Sequence, residues 1–300
     1  MSKVLITGGA GFIGSHLADQ LITQGSEVVV IDDLSSGKRE NLNPEAGFFE
    51  ADIADYEKIL PLFASVEYVF HLAALPSVQY SVEQPRQSHQ TNVDGLLNCL
   101  QAAKAHGVKK FIYSSSCSVY GNQVSLPLIE TMKPEPLSPY ALQKLIGEFY
   151  CQLYSRLYQL PTVSLRYFNV YGPRQSGSGA YANAMAKFIQ LKKEGRPLTI
   201  FGDGEQTRDF VYVSDVVEVN IAAMTNTKVS QGEIINICSG KNHSVNYIAN
   251  LIGGERLYLE ARPGEPRDAL GDNTLAGQLL NWKPKVLLEK GIKNLLTHDK

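Results

Sequence analysis

Apolar and polar positions follow two rhythms over the first half of the chain. Short β-branched and aliphatic runs alternate with longer stretches in which apolar residues return every third or fourth position. The short runs Val4–Thr7, Glu27–Ile31, Tyr68–Leu72, Lys110–Ser114 and Thr162–Tyr167 predict strands. The longer stretches Ser15–Gln24, Tyr56–Phe63, Asn92–His106 and Tyr140–Tyr158 predict helices, with Gly25 and Gly107 standing where two of them should end. Strands alternating with helices need right-handed crossovers, which predicts an α/β chain built on a parallel sheet.

The rhythm weakens after about Phe168. Gly- and Ser-rich loops at Gly172–Gly179 and Gly202–Gly204, a helix at Ala182–Lys193 and a Pro/Gly-rich stretch at Arg262–Pro266 predict a smaller, loop-rich region. Asp209–Val217 again reads as strand then helix and is expected to return to the sheet. The expected division is therefore a cofactor-binding domain over residues 1–168 with about 209–235 added, interleaved with a substrate region over 169–300. No internal repeat or low-complexity tract interrupts this order.

Composition narrows the class. A charged share of 19% and a net charge of −2 give no bulk field for nucleic acid or a membrane surface. No apolar run approaches the ~18 residues of a membrane span, and Val4–Thr7 is not followed by a signal-peptide cleavage site. Cys99, Cys117, Cys151 and Cys238 form no CxxC pair, and the histidines show no ligand spacing. Reduced thiols in a cytoplasmic protein without a structural metal are the expectation.

The first strand runs into Gly8-Gly9-Ala10-Gly11-Phe12-Ile13-Gly14, and a helix follows. A turn without side chains lets the backbone approach a pyrophosphate, and the helix N-terminus adds N–H groups and a positive dipole. The glycine pattern alone is weak, but here a strand precedes it, a helix follows it and an acid ends the next strand. That acid is Asp32, with Asp33 beside it. A carboxylate there can accept from both ribose hydroxyls and would repel a 2′-phosphate, so NAD is expected rather than NADP. Together with the parallel sheet, the motif predicts a Rossmann-type doubly wound fold.

Tyr140 and Lys144 stand four residues apart at the start of a predicted helix and so share a face. A free tyrosine has a pKa near ~10. The expectation is that an ammonium beside it, with the positive nicotinamide, lowers that value by ~3 units, equivalent to about 4 kcal/mol. Tyr140 then takes a proton from a hydroxyl while hydride leaves for NAD. Such a pair is common on solvated helix faces and gains meaning from the upstream cofactor turn. Between the two motifs, Ser114-Ser115-Ser116-Cys117-Ser118 ends a predicted strand, where open α/β sheets bind ligands. On the residues alone Ser114, Ser115, Ser116 and Ser118 are all candidates to hold a substrate hydroxyl.

Thr7–Gly14 resembles the fingerprint of the extended short-chain dehydrogenase/reductase family, with Gly8, Gly11 and Gly14 in its spacing. The similarity continues in order through Asp52-Ile53, His71-Leu72-Ala73-Ala74, Asn92, Ser114–Gly121, Tyr140–Lys144, Arg166–Gly172 and Arg208-Asp209-Phe210. The resemblance implies that Asp52 and Ile53 contact the adenine and that Leu72, Ala73 and Ala74 line the cofactor channel. It also implies cofactor contacts from Phe12, Ile13, Asn92, Ser114 and Tyr167, with Lys144 on the nicotinamide ribose. Ser116 becomes the serine that hydrogen-bonds the substrate.

The next two residues bear on the reaction. Related nucleotide-sugar 4,6-dehydratases carry Asp-Glu there, and UDP-glucuronate decarboxylases carry a glutamate at the second position. Cys117 and Ser118 supply no carboxylate for elimination. What remains is reversible oxidation at one carbon, which fits 4-epimerisation. A 4-keto sugar would turn over in the pocket, hydride would return to its opposite face and NAD would stay bound. Arg166–Gln175 is similar to the same stretch of UDP-N-acetylglucosamine 4-epimerases, which implies substrate contacts from Asn169, Arg174 and Gln175. Arg208 and Arg262 match diphosphate-clamping positions. Ala269 matches a gate residue that is bulky in galactose-restricted relatives and small in those accepting N-acetylated sugars. The expected substrates are UDP-GlcNAc/UDP-GalNAc, with UDP-Glc/UDP-Gal beside them. The rivals are a UDP-glucuronate 4-epimerase, with Arg174 and the serines near Ser77 and Ser118 facing the sugar carboxylate, and a net NAD-dependent dehydrogenase or reductase. Relatives dimerise through two helices per subunit. The stripe Leu145, Phe149, Leu153 and Leu157 therefore predicts a homodimer.

Overall fold

A computed structural model describes residues 2–177, 184–260 and 267–297. The elements in chain order are β1 (Lys3–Thr7), α1 (Phe12–Thr23), β2 (Glu27–Asp32), β3 (Gly47–Glu50), α2 (Tyr56–Ile59), β4 (Tyr68–His71), α3 (Val78–Glu83), α4 (Pro85–His89), α5 (Leu96–Ala105), β5 (Lys110–Ser116), α6 (Pro139–Tyr158) and β6 (Thr162–Tyr167). They continue with β7 (Asn169–Tyr171), α7 (Ala184–Lys193), β8 (Leu198–Phe201), β9 (Thr207–Tyr212), α8 (Val213–Thr225), β10 (Glu233–Ile237), β11 (Asn242–Ser244), α9 (Val245–Ile252), β12 (Arg256–Leu259), α10 (Thr274–Leu280) and α11 (Leu288–Thr297).

Seven strands form one sheet in the order β10-β6-β5-β4-β1-β2-β3. Every pairing in it is parallel. Alternation of side chains along each strand feeds two cores. Val4, Ile6, Val28 and Val30 pack with Leu17 and Leu21 of α1 and Val216 of α8 on one face. Leu5, Val29 and Ile31 pack with Leu96 and Leu100 of α5 and Cys151 of α6 on the other. This is the doubly wound Rossmann-type sheet expected from the sequence. The strand order reverses between β1 and β4, so the crevice outside their carboxyl ends, at Thr7 and His71, is where such sheets bind ligands.

Several local expectations need correction. The predicted helix Tyr56–Phe63 changes after Ile59 to a 3₁₀ turn over Leu60–Phe63, with Pro61 in its first turn. The one predicted from Asn92 is preceded by α4 and a π-turn over Gln90–Gly95, and regular α-helix starts at Leu96. β3 was not foreseen; it is a short, mostly exposed edge strand whose Phe48-Phe49 pair gives no alternation. The strand expected to return at Asp209 is β9, which pairs with β7 and β11 in a separate three-stranded sheet. The return to the main sheet is made by β10, while α8 does pack on it. Ala182 of the predicted helix Ala182–Lys193 lies outside the described residues. A third core joins α7, β8, α9 and α11 around Phe188, Ile200, Ile248 and Ile292.

Candidate active site

The turn between β1 and α1 is shaped by close backbone approach. Gly8 adopts φ +73°, and a Cβ there would stand 2.6 Å from the Ala73 nitrogen. A Cβ on Gly14 would stand 2.3 Å from the Gly8 carbonyl oxygen. Only glycine satisfies both positions, and the result is a bare cradle at the helix N-terminus. It opens on a cavity of about 430 Å³. Gly8, Gly11, Phe12, Ile13, Gly14, Asp32, Asp33, Ile53, Leu72, Ala73, Ala74, Ser114, Tyr140, Lys144 and Tyr167 all line it. Asp32 is buried and accepts from the Ala10 and Leu34 backbone N–H groups, both at 2.9 Å. Burial raises its pKa, against those two hydrogen bonds. The cradle and the acid at the far wall fit NAD.

Two of the expected cofactor residues do not reach the cavity. The Asp52 side chain is exposed and accepts from Ala54 N–H at 2.8 Å, which fixes a turn. Asn92 is buried beneath the wall, where the π-turn directs it to the Leu75 backbone and to Gln143 Oε1. It shapes the segment after Ala74 from behind.

Helix α6 starts sharply because the Ser138 hydroxyl accepts from Ala141 N–H at 3.2 Å and Pro139 opens the first turn. That start puts Tyr140 and Lys144 against the end of β5. The Ser116 hydroxyl hydrogen-bonds the Tyr140 phenol and also accepts from Ser118 N–H at 3.2 Å. Lys144 Nζ donates to the Ser114 carbonyl at 2.7 Å and lies 5.9 Å from the Tyr140 ring centre. Ser114 Oγ donates to Tyr167 Oη at 3.2 Å, whose own proton goes to Asn220 Oδ1 at 2.8 Å.

Burial dominates the electrostatics of the pair. Burial pushes Tyr140 up to about 12, and only the Ser116 hydrogen bond opposes it. Burial also pulls Lys144 down to about 8, against the charges of Cys151 and Glu148. The ammonium therefore does not by itself make the phenol a base at neutral pH. His71 stays neutral: burial, then repulsion from Lys144, lowers it to about 3. It pairs with Thr7 Oγ1 at 3.0 Å, and that hydroxyl also accepts from Ala73 N–H, so the three hold the strand ends at the crevice.

The substrate candidates fall into two groups. Arg174 and Gln175 line the cofactor cavity, with Arg174 Nη1 at 2.8 Å from Asp19 Oδ2. Ser116, Cys117, Ser118, Asn169, Arg208 and Ala269 lie outside that lining. Cys117 and Ser118 form a 3₁₀ turn after Ser116; the thiol is raised to about 12 by burial and feels the charges of Arg208, Asp209 and Arg166. Ser118 Oγ is buried and has no hydrogen-bond partner among the described residues. Asn169 Nδ2 donates to the Asp209 carbonyl at 3.2 Å, and Ala269 N–H to the Thr207 carbonyl at 3.1 Å. Arg208 Nη1 donates to the Thr207 and Arg267 carbonyls. Arg262 lies outside the described residues.

Three supporting groups escaped the sequence reading. Glu148 pairs with Arg166 through two 2.8 Å contacts, fully buried, and accepts from Ser115 Oγ. Its position four residues after Lys144 was a readable signal. The buried Asp209 carboxylate accepts from Ser239 N–H and Oγ–H and from the Gly240 and Gly271 N–H groups. Asp19 joins Arg174 to Asn43, a pairing that no local pattern announces.

Comparison with known proteins places the site in context. The model of the NAD-dependent epimerase/dehydratase family matches residues 4–238. The chain is 44% identical to the UDP-glucose 4-epimerase of Thermotoga maritima solved with UDP-glucose, with a TM-score of 0.95 over 98% of this chain and 97% of that one. It is 37% identical to the UDP-N-acetylglucosamine 4-epimerase of Methanobrevibacter ruminantium M1 in complex with UDP-N-acetylmuramic acid, with a TM-score of 0.93 and the same coverage. It is 36% identical to the UDP-glucuronic acid 4-epimerase of Bacillus cereus in complex with UDP-glucuronic acid and NAD, with a TM-score of 0.89 over 97% and 96% of the two chains.

Proposed function

We propose, from the premise that this chain belongs to the NAD-dependent epimerase/dehydratase family, that it interconverts the C4 epimers of UDP-N-acetylhexosamines and accepts the smaller UDP-hexoses as well. The observation that carries this reading is Tyr140 beside the cofactor cavity, hydrogen-bonded by Ser116 and followed after Ser116 by Cys117 and Ser118 instead of carboxylates.

Bound NAD supplies hydride acceptance and return at the sugar C4. The chain's own groups handle the proton and the position. Tyr140 Oη is placed to take the C4 hydroxyl proton and to return it. Ser116 donates to the same oxygen and stabilises its anionic form. Lys144 is anchored on the Ser114 carbonyl and lines the cavity. Cys117 is a neutral thiol at physiological pH, so nothing at that position removes a proton for elimination.

Arg174 bears on the glucuronate rival. Its guanidinium is paired with Asp19 on the cofactor side, which leaves it poorly placed to receive a C6 carboxylate. Ala269 is buried beside Thr207, and its methyl group leaves more room than an aromatic gate would. Both points favour a neutral sugar with space at C2.

Incubation of purified protein without added cofactor with UDP-GlcNAc, UDP-Glc and UDP-GlcA, each read by proton NMR of the anomeric region, tests the proposal. UDP-GalNAc from the first is the expected result. Turnover of UDP-Glc alone overturns the argument from Ala269, and turnover of UDP-GlcA alone promotes the rival. Accumulating NADH absorbance would mean a net dehydrogenase. No epimer from any substrate, even with NAD added, rejects the reaction class.

A further inference from the structure

Two loops wall the cofactor cavity on either side of helix α1. One follows β2 and contributes Lys38 and Asn41; the other follows β7 and contributes Arg174, Gln175 and Ser176. They are far apart in sequence and, among the described residues, are joined by the carboxylate of Asp19 on α1. Asp19 Oδ1 accepts from Asn43 Nδ2 at 2.9 Å, and Asp19 Oδ2 pairs with Arg174 Nη1 at 2.8 Å. Neither Asp19 nor Asn43 lines the cavity, so the bridge acts from behind both walls. A second tie lies one turn earlier on the same helix. His16 Nε2 stands 3.0 Å from the Pro173 carbonyl, which can only accept, so the proton sits on Nε2. Burial lowers the His16 pKa against the pull of the Pro173 bond, and Nε2–H donates to that carbonyl whether the ring is neutral or charged. Arg174 itself holds φ +63°, a left-handed conformation that a non-glycine residue keeps only when its surroundings fix it.

We propose that Asp19 is a clasp between the two walls of the NAD cavity and that, together with His16, it sets how slowly the dinucleotide leaves. This rests on the NAD reading of the site. An enzyme that regenerates its cofactor in every turnover gains from slow release, whereas a net dehydrogenase must exchange it. The clasp is a positioning device: none of its three atoms on α1 touches the reacting groups.

The pairs are partly exposed, and contacts of that kind are individually modest. The expected effect on release is about tenfold for Asp19→Ala, which loses both walls, and about threefold for Arg174→Ala or His16→Ala. Alanine is a good helix former, so α1 should be kept intact. The measurement is the dissociation rate of NAD from loaded protein, followed by an auxiliary dehydrogenase that reduces free NAD. The thermal midpoint of the NAD-free protein serves as the control for folding. A double variant separates the clasp from a direct contact. If the clasp is right, Arg174→Ala adds nothing in the Asp19→Ala background. Equal acceleration by Arg174→Ala in both backgrounds means that Arg174 acts on the cofactor directly, and this overturns the clasp. Unchanged release from Asp19→Ala overturns it as well. A wild-type protein that binds no NAD rejects the parent reading instead, and is seen before any variant is compared.

Discussion

Tyr140 and Lys144 are both buried, and burial disfavours the charged form of each. The phenol is pushed up to about 12 and the ammonium down to about 8. The protein alone thus holds both groups neutral in mildly alkaline solution, and the site becomes basic only when further positive charge enters it. Two outcomes follow at this scale. Tyr140→Phe removes the proton acceptor and little volume. Its kcat should fall by about 10²–10⁴ while the NAD content of the purified protein, read after acid extraction, is unchanged. Lys144 has a folded pKa below its ordinary value, so its positive charge is present at lower pH and lost as pH rises through about 8. A bound cation would depress it further. The alkaline limb of kcat/KM should therefore begin no higher than about pH 8. Lys144→Arg, which stays charged, should be slower yet flat across that range. An identical limb in this variant would assign the titration to another group.

Among the elements, α6 carries the site on its first two turns and its anchor on the third. Glu148 sits one turn beyond Lys144 and clamps α6 to β6 through Arg166, with Ser115 of β5 on the same carboxylate. Arg166 also lies over the Tyr120 ring at 4.6 Å, beneath the turn that bears Cys117 and Ser118. Both side chains are sealed from solvent, so removing one leaves an uncompensated buried charge. Glu148→Gln should cost about 3–5 kcal/mol. Replacing both partners, Glu148→Leu with Arg166→Met, should cost less than either single change. Urea unfolding of the three variants checks this, and simple additivity would mean that the pair is not coupled. The helix α1 shows the same economy: its N-terminus closes on the glycine cradle, and its outer turns hold Asp19 and His16 against both cavity walls.

For the whole molecule, the outer face of α6 bears on assembly. Leu145 of the predicted stripe turns inward and packs with Val119, Leu128 and Phe168. Phe149, Leu153 and Leu157 do not: they are 52, 45 and 66% exposed, and Leu142 joins them at 48%. An apolar face of this kind on one long helix is unusual for a monomer. We propose that a second copy of the chain covers it. Light scattering should give twice the chain mass, and Leu153→Glu should halve it without changing NAD content; a monomeric wild type would reject the proposal. Among the described residues no helix is long and apolar enough to cross a membrane.

The parallel order of strands and helices, the cofactor turn, the acid that ends β2 and the Tyr140–Lys144 pair were all legible in the sequence. Each depends on residues within one turn or one strand of each other, and periodicity and spacing record such relations directly. What escaped depends on partners far apart in the chain. The edge strand β3 has too few residues to show a rhythm, and the π-turn that buries Asn92 follows from the Leu75 and Gln143 groups it meets. The diversion of β9 into a small sheet is set by β7 and β11. The same reason hid the bonds from Asp19 to Asn43 and Arg174, and the four donors around Asp209. The charge states of Tyr140 and Lys144 have a related cause: helical spacing gives the distance between two side chains, but only the packed interior determines how strongly desolvation weighs against their charges.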